Sequence, residues 1–302
     1  MKILITGANG FLGSNTLRIA LKKGHEIFAI SQNNNNIQDL NDKIYFRENR
    51  SYDYYNLRKE IVDFCPDAIM HFAWWGGNNY NDINSIDQYN KNIPLSTSLL
   101  EISKDCFKKP KFIGIGSFAE YGILSTKAKE DQPELPNSNY GLSKNIIKNI
   151  SKLFCEQYCM EWSWIRPCYV YGPGDVKTRL IPKTISKLKL DKTIELNSCT
   201  SIIDYIYIDD FCDASITIAE NSANGIFNIC SGNEYTAKSI VKIIADKLNN
   251  NSQLIFNAKL DRENFPKYIC GSNEKLFRVF NWIPKIGIES GILKTIEKDC
   301  VI

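Results

Sequence analysis

Tyr140 and Lys144 stand four residues apart in the stretch YGLSK. If that stretch is helical, both side chains project from one face. A phenol beside an ammonium is a proton-transfer unit. The positive charge favours tyrosinate, lowers the phenol's pKa, and lets it give or take a proton near neutral pH. The spacing alone is weak, because Tyr-x-x-x-Lys recurs by chance. Upstream, Ser117 follows the apolar run KFIGI and opens the stretch SFAEYG. A serine at the carboxyl end of a buried strand can hold a ligand, or it can simply start a turn. With Tyr140 and Lys144 it makes a set able to handle one proton at an oxygen.

A second cluster is suited to holding a phosphate. The first apolar run enters TGANGFLG at 6–13, and a helical stretch follows. Gly7 permits the tight turn. Gly10 lets the backbone approach a pyrophosphate above the positive end of the helix, and Gly13 allows close helix–strand packing. Asn9, Phe11 and Leu12 complete the loop as candidate cofactor contacts. A dinucleotide fold often carries an acid ~20 residues on, for the ribose 2′-hydroxyl. Here the second apolar run ends Ala29-Ile30-Ser31-Gln32, without a carboxylate. Ser31 and Gln32 would not repel a 2′-phosphate, and Arg47 or Arg50 could pair with one. The cofactor expected is therefore NADPH/NADP, with NAD possible. Equally, Ser31 and Gln32 could be plain loop residues.

These groups need a scaffold that brings strand ends together. Short β-like runs at 2–6, 26–30, 68–73 and 112–115 alternate with helical stretches, the first at 13–23. Such alternation predicts an α/β fold, a Rossmann-type doubly wound parallel sheet with helices on both faces. From about Tyr171, at YGPGD, the pattern breaks into short mixed elements. The expected organisation is a dinucleotide-binding domain over 1–170, to which about 202–230 returns, and a smaller α/β substrate lobe over 171–302. The four asparagines Asn33 to Asn36 read as a solvated loop near the adenosine end.

At 302 residues, 43% apolar and 24% charged, the chain can bury an ample core. A net charge of +3 is too small to argue for nucleic acid or a membrane surface as partner. No apolar run approaches the roughly 18 residues of a spanning helix, and MKILITG is too short for a signal peptide. Ten cysteines without paired spacing, and only two histidines, argue for reduced cytoplasmic thiols and against a metal site.

Taken together, these residues resemble the extended short-chain dehydrogenase/reductase family: the NAD(P)-dependent nucleotide-sugar epimerases, dehydratases and reductases. The likeness rests on TGANGFLG at 6–13, His71-Phe72-Ala73 ending the fourth strand, and Ser117 before Tyr121-Gly122. It continues through YGLSK at 140–144, Arg166-Pro167, YGPG at 171–174 and DYIYIDD at 204–210. It spans nearly the whole chain and does not single out one substrate. The resemblance implies that Ser117 and Tyr140 hydrogen-bond the sugar carbonyl or hydroxyl, while Lys144 holds the nicotinamide ribose. It puts Phe72, Ala73 and Pro167 beside the cofactor, and Arg179 and Arg262 toward the sugar nucleotide. Asn228 takes a structural role. The helical stretches around 88–107 and 144–160 correspond to those that relatives pair into a homodimer. Trp74, just past the fourth strand, could stack on a sugar or plug the sheet.

Departures from the family pattern narrow the chemistry. Dehydratases of this resemblance carry acids after the serine; here those positions are Phe118 and Ala119, substrate-lining candidates that cannot exchange a proton. Glu120 is one residue late and, in an extended segment, would face away. Relatives that epimerise C3 and C5 use a cysteine and a histidine; Ala119 replaces the first, and no histidine lies between Tyr171 and Lys192. His25 and His71 read as structural. Hydride transfer remains. The expected function is NADPH-dependent reduction of a nucleotide-linked 4-keto-6-deoxy sugar at C4, in a setting such as polysaccharide biosynthesis. The alternatives are a nucleotide-sugar 4-epimerase with tightly bound NAD and, remotely, a non-enzymatic NADP-sensing regulator.

Overall fold

Ile-rich runs of four to six residues, each ended by a turn, form the central strands. The computed structural model describes residues 1–76, 82–190, 193–250, 253–261 and 266–298. The first half alternates: β1 (Lys2–Thr6), α1 (Phe11–Lys22), β2 (Glu26–Ser31), β3 (Tyr45–Glu48), α2 (Arg58–Phe64), β4 (Ala68–His71), α3 (Asp87–Asn90), α4 (Asn92–Ser103), β5 (Lys111–Ile115), α5 (Asn139–Gln157) and β6 (Trp162–Pro167). The second half is finer grained: β7 (Tyr169–Tyr171), α6 (Leu180–Leu188), β8 (Ile194–Leu196), β9 (Ile202–Ile203), β10 (Tyr205–Tyr207), α7 (Ile208–Glu220), β11 (Gly225–Ile229), β12 (Tyr235–Thr236), α8 (Ala237–Lys247), β13 (Leu254–Phe256), β14 (Tyr268–Ile269), α9 (Glu274–Phe280) and α10 (Ile288–Lys298).

Seven strands form one parallel sheet in the order β11-β6-β5-β4-β1-β2-β3. A parallel sheet is covered on both faces, so its strands are apolar throughout rather than alternating. Successive residues still divide between two cores, because strand side chains alternate faces. Ile3, Ile5, Ala29, Met70 and Ile113 join one core, which includes Leu17 of α1 and Phe211 of α7. Leu4, Phe28, Ile69, Phe112 and Trp164 join the other, with Ile61 of α2, Leu99 of α4 and Ile147 of α5. The chain winds outward through β2 and β3, then crosses to β4 on the other side of β1. That reversal opens a crevice at the carboxyl ends of β1 and β4. Thr6 pairs with His71 and His71 with Gly114, so these strand ends stand level.

Several boundaries differ from those expected. β4 stops at His71, and Phe72 and Ala73 leave the strand, although Phe72 N still donates to Thr6 O at 3.2 Å. Helix α1 begins at Phe11, not Gly13. β3 is short and half-exposed, with little apolar patterning to reveal it. The region beyond 171 contributes β11 to the main sheet, pairs β10 with β7, and builds the small sheets β12-β9-β14 and β13-β8.

Candidate active site

The glycine loop lies in the β1–β4 crevice. Gly7 has φ +65°, and a Cβ there would stand 2.6 Å from Ala73 N, so the turn packs directly on the exit of β4. Gly10 is the N-cap of α1; no side chain caps that helix and no acid stands in its first turn. Its free amide groups and positive end therefore remain for an anion. Gly7, Asn9, Gly10, Phe11 and Leu12 all line one cleft of about 610 Å³. Donor amides, a glycine-lined floor and no opposing carboxylate fit a dinucleotide's pyrophosphate.

The four-asparagine run is more than a solvated loop. Asn9 Nδ2 donates to Asn33 Oδ1 at 2.6 Å, Asn36 N donates to Asn9 Oδ1 at 2.6 Å, and Asn36 Nδ2 donates to Asn9 O at 2.7 Å. Asn9 N also donates to Ser31 Oγ at 3.3 Å. The run thus ties the end of β2 to the glycine loop. Ser31, Gln32, Asn33, Asn49 and Tyr52 line this end of the cleft, and none carries a charge at neutral pH. Arg50 does not join them: it pairs with Glu48 at 2.7 Å, its side chain 76% exposed. Arg47 lies over the Tyr45 ring instead. The expected cation for a 2′-phosphate is therefore engaged elsewhere, because β3 ends in its own acid.

At the other end stand Ser117, Tyr140, Lys144, Phe72, Ala73, Trp74, Pro167 and Arg179, all on the cleft wall. Ser117 caps a 3-10 turn, Phe118–Glu120, whose backbone is not extended as expected. Its Oγ accepts from Ala119 N at 3.1 Å, and its N–H donates to Glu120 Oε1 at 2.7 Å. Phe118 turns into the core beside Tyr121, with 5% exposure, and neither Phe118 nor Ala119 reaches the cleft wall. The helical turn swings their side chains away from the strand's direction. Arg262 lies outside the described residues. Asn228 accepts from Tyr121 Oη at 2.7 Å and donates to Ala128 O, deep in the core.

Helix α5 delivers Tyr140 and Lys144. Ser138 Oγ caps it, accepting from Gly141 N at 3.1 Å. Lys144 is 4% exposed; its Nζ donates to Ile115 O at 2.6 Å and lies 3.4 Å from the centre of the Trp74 ring. From the Tyr140 ring centre it is 5.8 Å. Trp74 meets Tyr140 edge-on at 6.0 Å, and its Nε1 donates to buried Gln88 Oε1 at 3.0 Å. Trp74 thus forms a wall between the two catalytic candidates and the helix pair α3–α4.

The electrostatics differ from the simple expectation of a phenol acidified by lysine. Burial raises the Tyr140 phenol above its ordinary value, a Ser117 hydrogen bond opposes it, and the Glu120 charge adds to the rise. Burial also pushes the Lys144 ammonium down to about 7, with Glu120 working the other way. Lys144 is bonded to a carbonyl rather than to the phenol. The sequence missed Tyr54, Cys168 and Tyr169, which also line the cleft. Tyr169 was findable, being two residues past Pro167 and hence on its face of an extended segment.

The model of the family described as "NAD dependent epimerase/dehydratase family" matches residues 3–230. The chain is 25% identical over 261 residues to CDP-abequose synthase of Yersinia pseudotuberculosis, covering 84% of this chain and 87% of that protein. It is 26% identical over 254 residues to dTDP-6-deoxy-L-talose 4-dehydrogenase (NAD(+)) of Aggregatibacter actinomycetemcomitans, covering 80% of this chain and 88% of that one. The crystal structure of dTDP-glucose 4,6-dehydratase from Bacillus anthracis, in complex with NAD, superposes with a TM-score of 0.88 at 24% identity, covering 100% of this chain and 97% of that one. With the match over 3–230, the glycine loop at the crevice and the parallel sheet beneath it, the chain belongs to the NAD dependent epimerase/dehydratase family.

Proposed function

We propose that the chain reduces a nucleotide-linked 4-keto-6-deoxy sugar at C4, with no proton exchange at C3 or C5. The observation that carries this reading is the composition of the cleft wall. Among the described residues, that wall has no carboxylate and no histidine. Its one thiol, Cys168, leans on Ile269 O at 3.7 Å, and burial holds its pKa well above the ordinary value. Exchange at carbons beside the carbonyl needs an acid–base pair besides the Tyr140 and Lys144 already assigned to the carbonyl, and among the described residues the wall adds no carboxylate or imidazole for it. Similarity to a protein named as a 6-deoxy-talose 4-dehydrogenase supports the same class of substrate.

In this reading Ser117 and Tyr140 hold the carbonyl oxygen, and Tyr140 gives it a proton as charge develops there. A bound reduced nicotinamide cofactor supplies the hydride to C4. Lys144 binds the cofactor's ribose and keeps a partial positive charge beside the phenol. Arg179, now paired with Asp175 at 3.1 Å, is the guanidinium on the wall and meets the substrate's diphosphate. Trp74 bounds the sugar, and the part of the chain after 171 receives the nucleotide. At the adenosine end a wall without carboxylate tolerates a 2′-phosphate. Arg50 would have to leave Glu48 to pair with it, so we put any preference for NADPH over NADH within about tenfold. A homodimer through α5 completes the proposal.

The test supplies NADPH or NADH with a panel of 4-keto-6-deoxy sugar nucleotides in deuterated water. The product should carry no solvent deuterium at C3 or C5, with one cofactor consumed per sugar. Tyr140→Phe should lose ~10²–10⁴ in turnover and keep cofactor affinity. Deuterium at C3 or C5 would overturn the reading. Conversion of a 4-hydroxy sugar nucleotide to its C4 epimer without net cofactor use would establish a 4-epimerase instead.

A further inference from the structure

The residue next to Tyr121 in GSFAEYG is a fully buried acid, and nothing in the proposed reaction uses it. Glu120 has 0% exposure and pairs with Arg166 Nε at 2.8 Å, a partner equally buried. Trp164 Nε1 donates to Oε1 at 3.0 Å, and Ser117 N–H donates to the same oxygen at 2.7 Å. Arg166 turns its other end to Glu134, which also pairs with Lys148. A buried ion pair is seldom a net source of stability, since a hydrophobic replacement of similar volume often does as well. Its presence three residues from Ser117 asks for another role.

The geometry supplies one. Gly116 lines the cleft, and a Cβ on it would collide with Glu120 Oε1 and Trp164 Nε1. The backbone at 116 therefore has the cleft on one side and the carboxylate, with the Trp164 indole, on the other. Gly141, beside Tyr140, packs on Ala119 O, so the first turn of α5 rests on the same 3-10 turn. We propose that Glu120 is a positioning residue: through Ser117 N–H it fixes the serine, and through its buried negative charge it sets the field at Tyr140 and Lys144.

The proposal deepens the reductase reading and shares its assignment of Ser117, Tyr140 and Lys144. Two features support it. Ser117 Oγ already accepts from Ala119 N, so its own hydrogen is left to point toward the cleft or Tyr140. The Glu120 charge raises both the Tyr140 phenol and the Lys144 ammonium. The other groups bearing on this pair are Arg179, which lowers Tyr140, and His71, on which Lys144 acts. Arg166, Glu134 and Lys148 are charged groups behind the turn.

The experiment follows Lys144 directly, by NMR of protein labelled at lysine Cε, with Lys144→Met to assign the signal. It uses the ligand-free protein, so its outcome is independent of which sugar is turned over. Glu120→Gln should lower the Lys144 midpoint by about one pH unit. Glu134→Gln removes the other partner of Arg166 and should leave that midpoint in place while costing comparable melting temperature. Glu120→Asp keeps the charge but shortens the reach to Ser117 N–H. It should leave the Lys144 midpoint near wild type and shift the Ser117 amide proton upfield; in turnover, kcat should fall about tenfold or more with KM unchanged. An unmoved midpoint in folded Glu120→Gln would overturn the field. Should Glu120→Gln not fold, an unmoved Ser117 amide in Glu120→Asp overturns the positioning. Failure of the sugar assay with these shifts intact would sink the reductase reading alone.

Discussion

At the scale of single residues, the sheet's switch point is held by a neutral histidine. His71 ends β4 with 4% exposure; its Nδ1 is 2.7 Å from Thr6 Oγ1 and its Nε2 2.9 Å from Ser96 Oγ. Burial, and secondarily the Lys144 charge, push its pKa down to about 3 from an ordinary 6.5. The native state therefore binds fewer protons than the unfolded chain between those values, so stability must fall with falling pH. His71's contribution is complete above about pH 6.5, declines below it, and is gone near pH 3, a loss on the order of a few kcal/mol. The expected result is a steeper acid limb for the wild type than for His71→Gln in urea unfolding at pH 7.5, 6, 5 and 4. Gln should be the weaker protein at pH 7.5, because it cannot match both hydroxyl partners. Parallel profiles would mean His71 is not the group that titrates.

At the scale of elements, legibility follows burial. β1, β2, β4 and β5 were readable because their residues are buried on both faces and leave uninterrupted apolar runs. β3 carries Tyr-Phe-Arg-Glu at the sheet's edge, where solvent relaxes the pattern. The glycine loop and Tyr140/Lys144 were readable because backbone approach and helical spacing constrain residue type. For Glu120 only the backbone differed from expectation: SFAE could run on as strand, and a capping box, with the Glu120 carboxylate accepting from Ser117 N–H and Ser117 Oγ accepting from Ala119 N–H, turns it into a 3-10 turn. Arg50 was misjudged because spacing cannot tell a free arginine from one held by Glu48.

The end of β2 carries its own prediction. Ser31 Oγ accepts from Asn9 N, so it couples the end of β2 to the glycine loop. Ser31→Asp keeps an acceptor there and adds a negative charge. NADPH affinity should fall by tenfold or more through repulsion of the 2′-phosphate, while NADH affinity holds or rises by pairing with the 2′-hydroxyl. Fluorescence titration with both cofactors checks this. Equal losses for the two would mean the substitution has damaged the loop rather than altered the choice.

At the scale of the whole molecule, α5 presents two different faces. Gly141, Lys144, Ile147, Ser151 and Cys155 are buried against the sheet. Leu142 and Leu153, 42% and 65% exposed, lie about three turns apart and therefore share the opposite side, with half-buried Ile146 and Ile150 between them. A surface helix ordinarily presents charge to water on that side. Apolar side chains repeated over three turns lose favourable burial unless something covers them, and a second copy meeting helix to helix would do so. Because α5 also carries Tyr140 and Lys144, the same contact would stiffen the helix that supplies the proposed catalytic pair. Sedimentation should find twice the chain's mass for the wild type. Leu153→Glu puts a charge at the carboxyl-terminal end of the stripe and should give monomer, since desolvating an unpaired carboxylate costs several kcal/mol. It lies about two and a half turns from Lys144, so cofactor affinity should survive while melting temperature becomes independent of protein concentration. A wild type that sediments as monomer, or a Leu153→Glu variant that remains dimeric, would move the partner surface off α5.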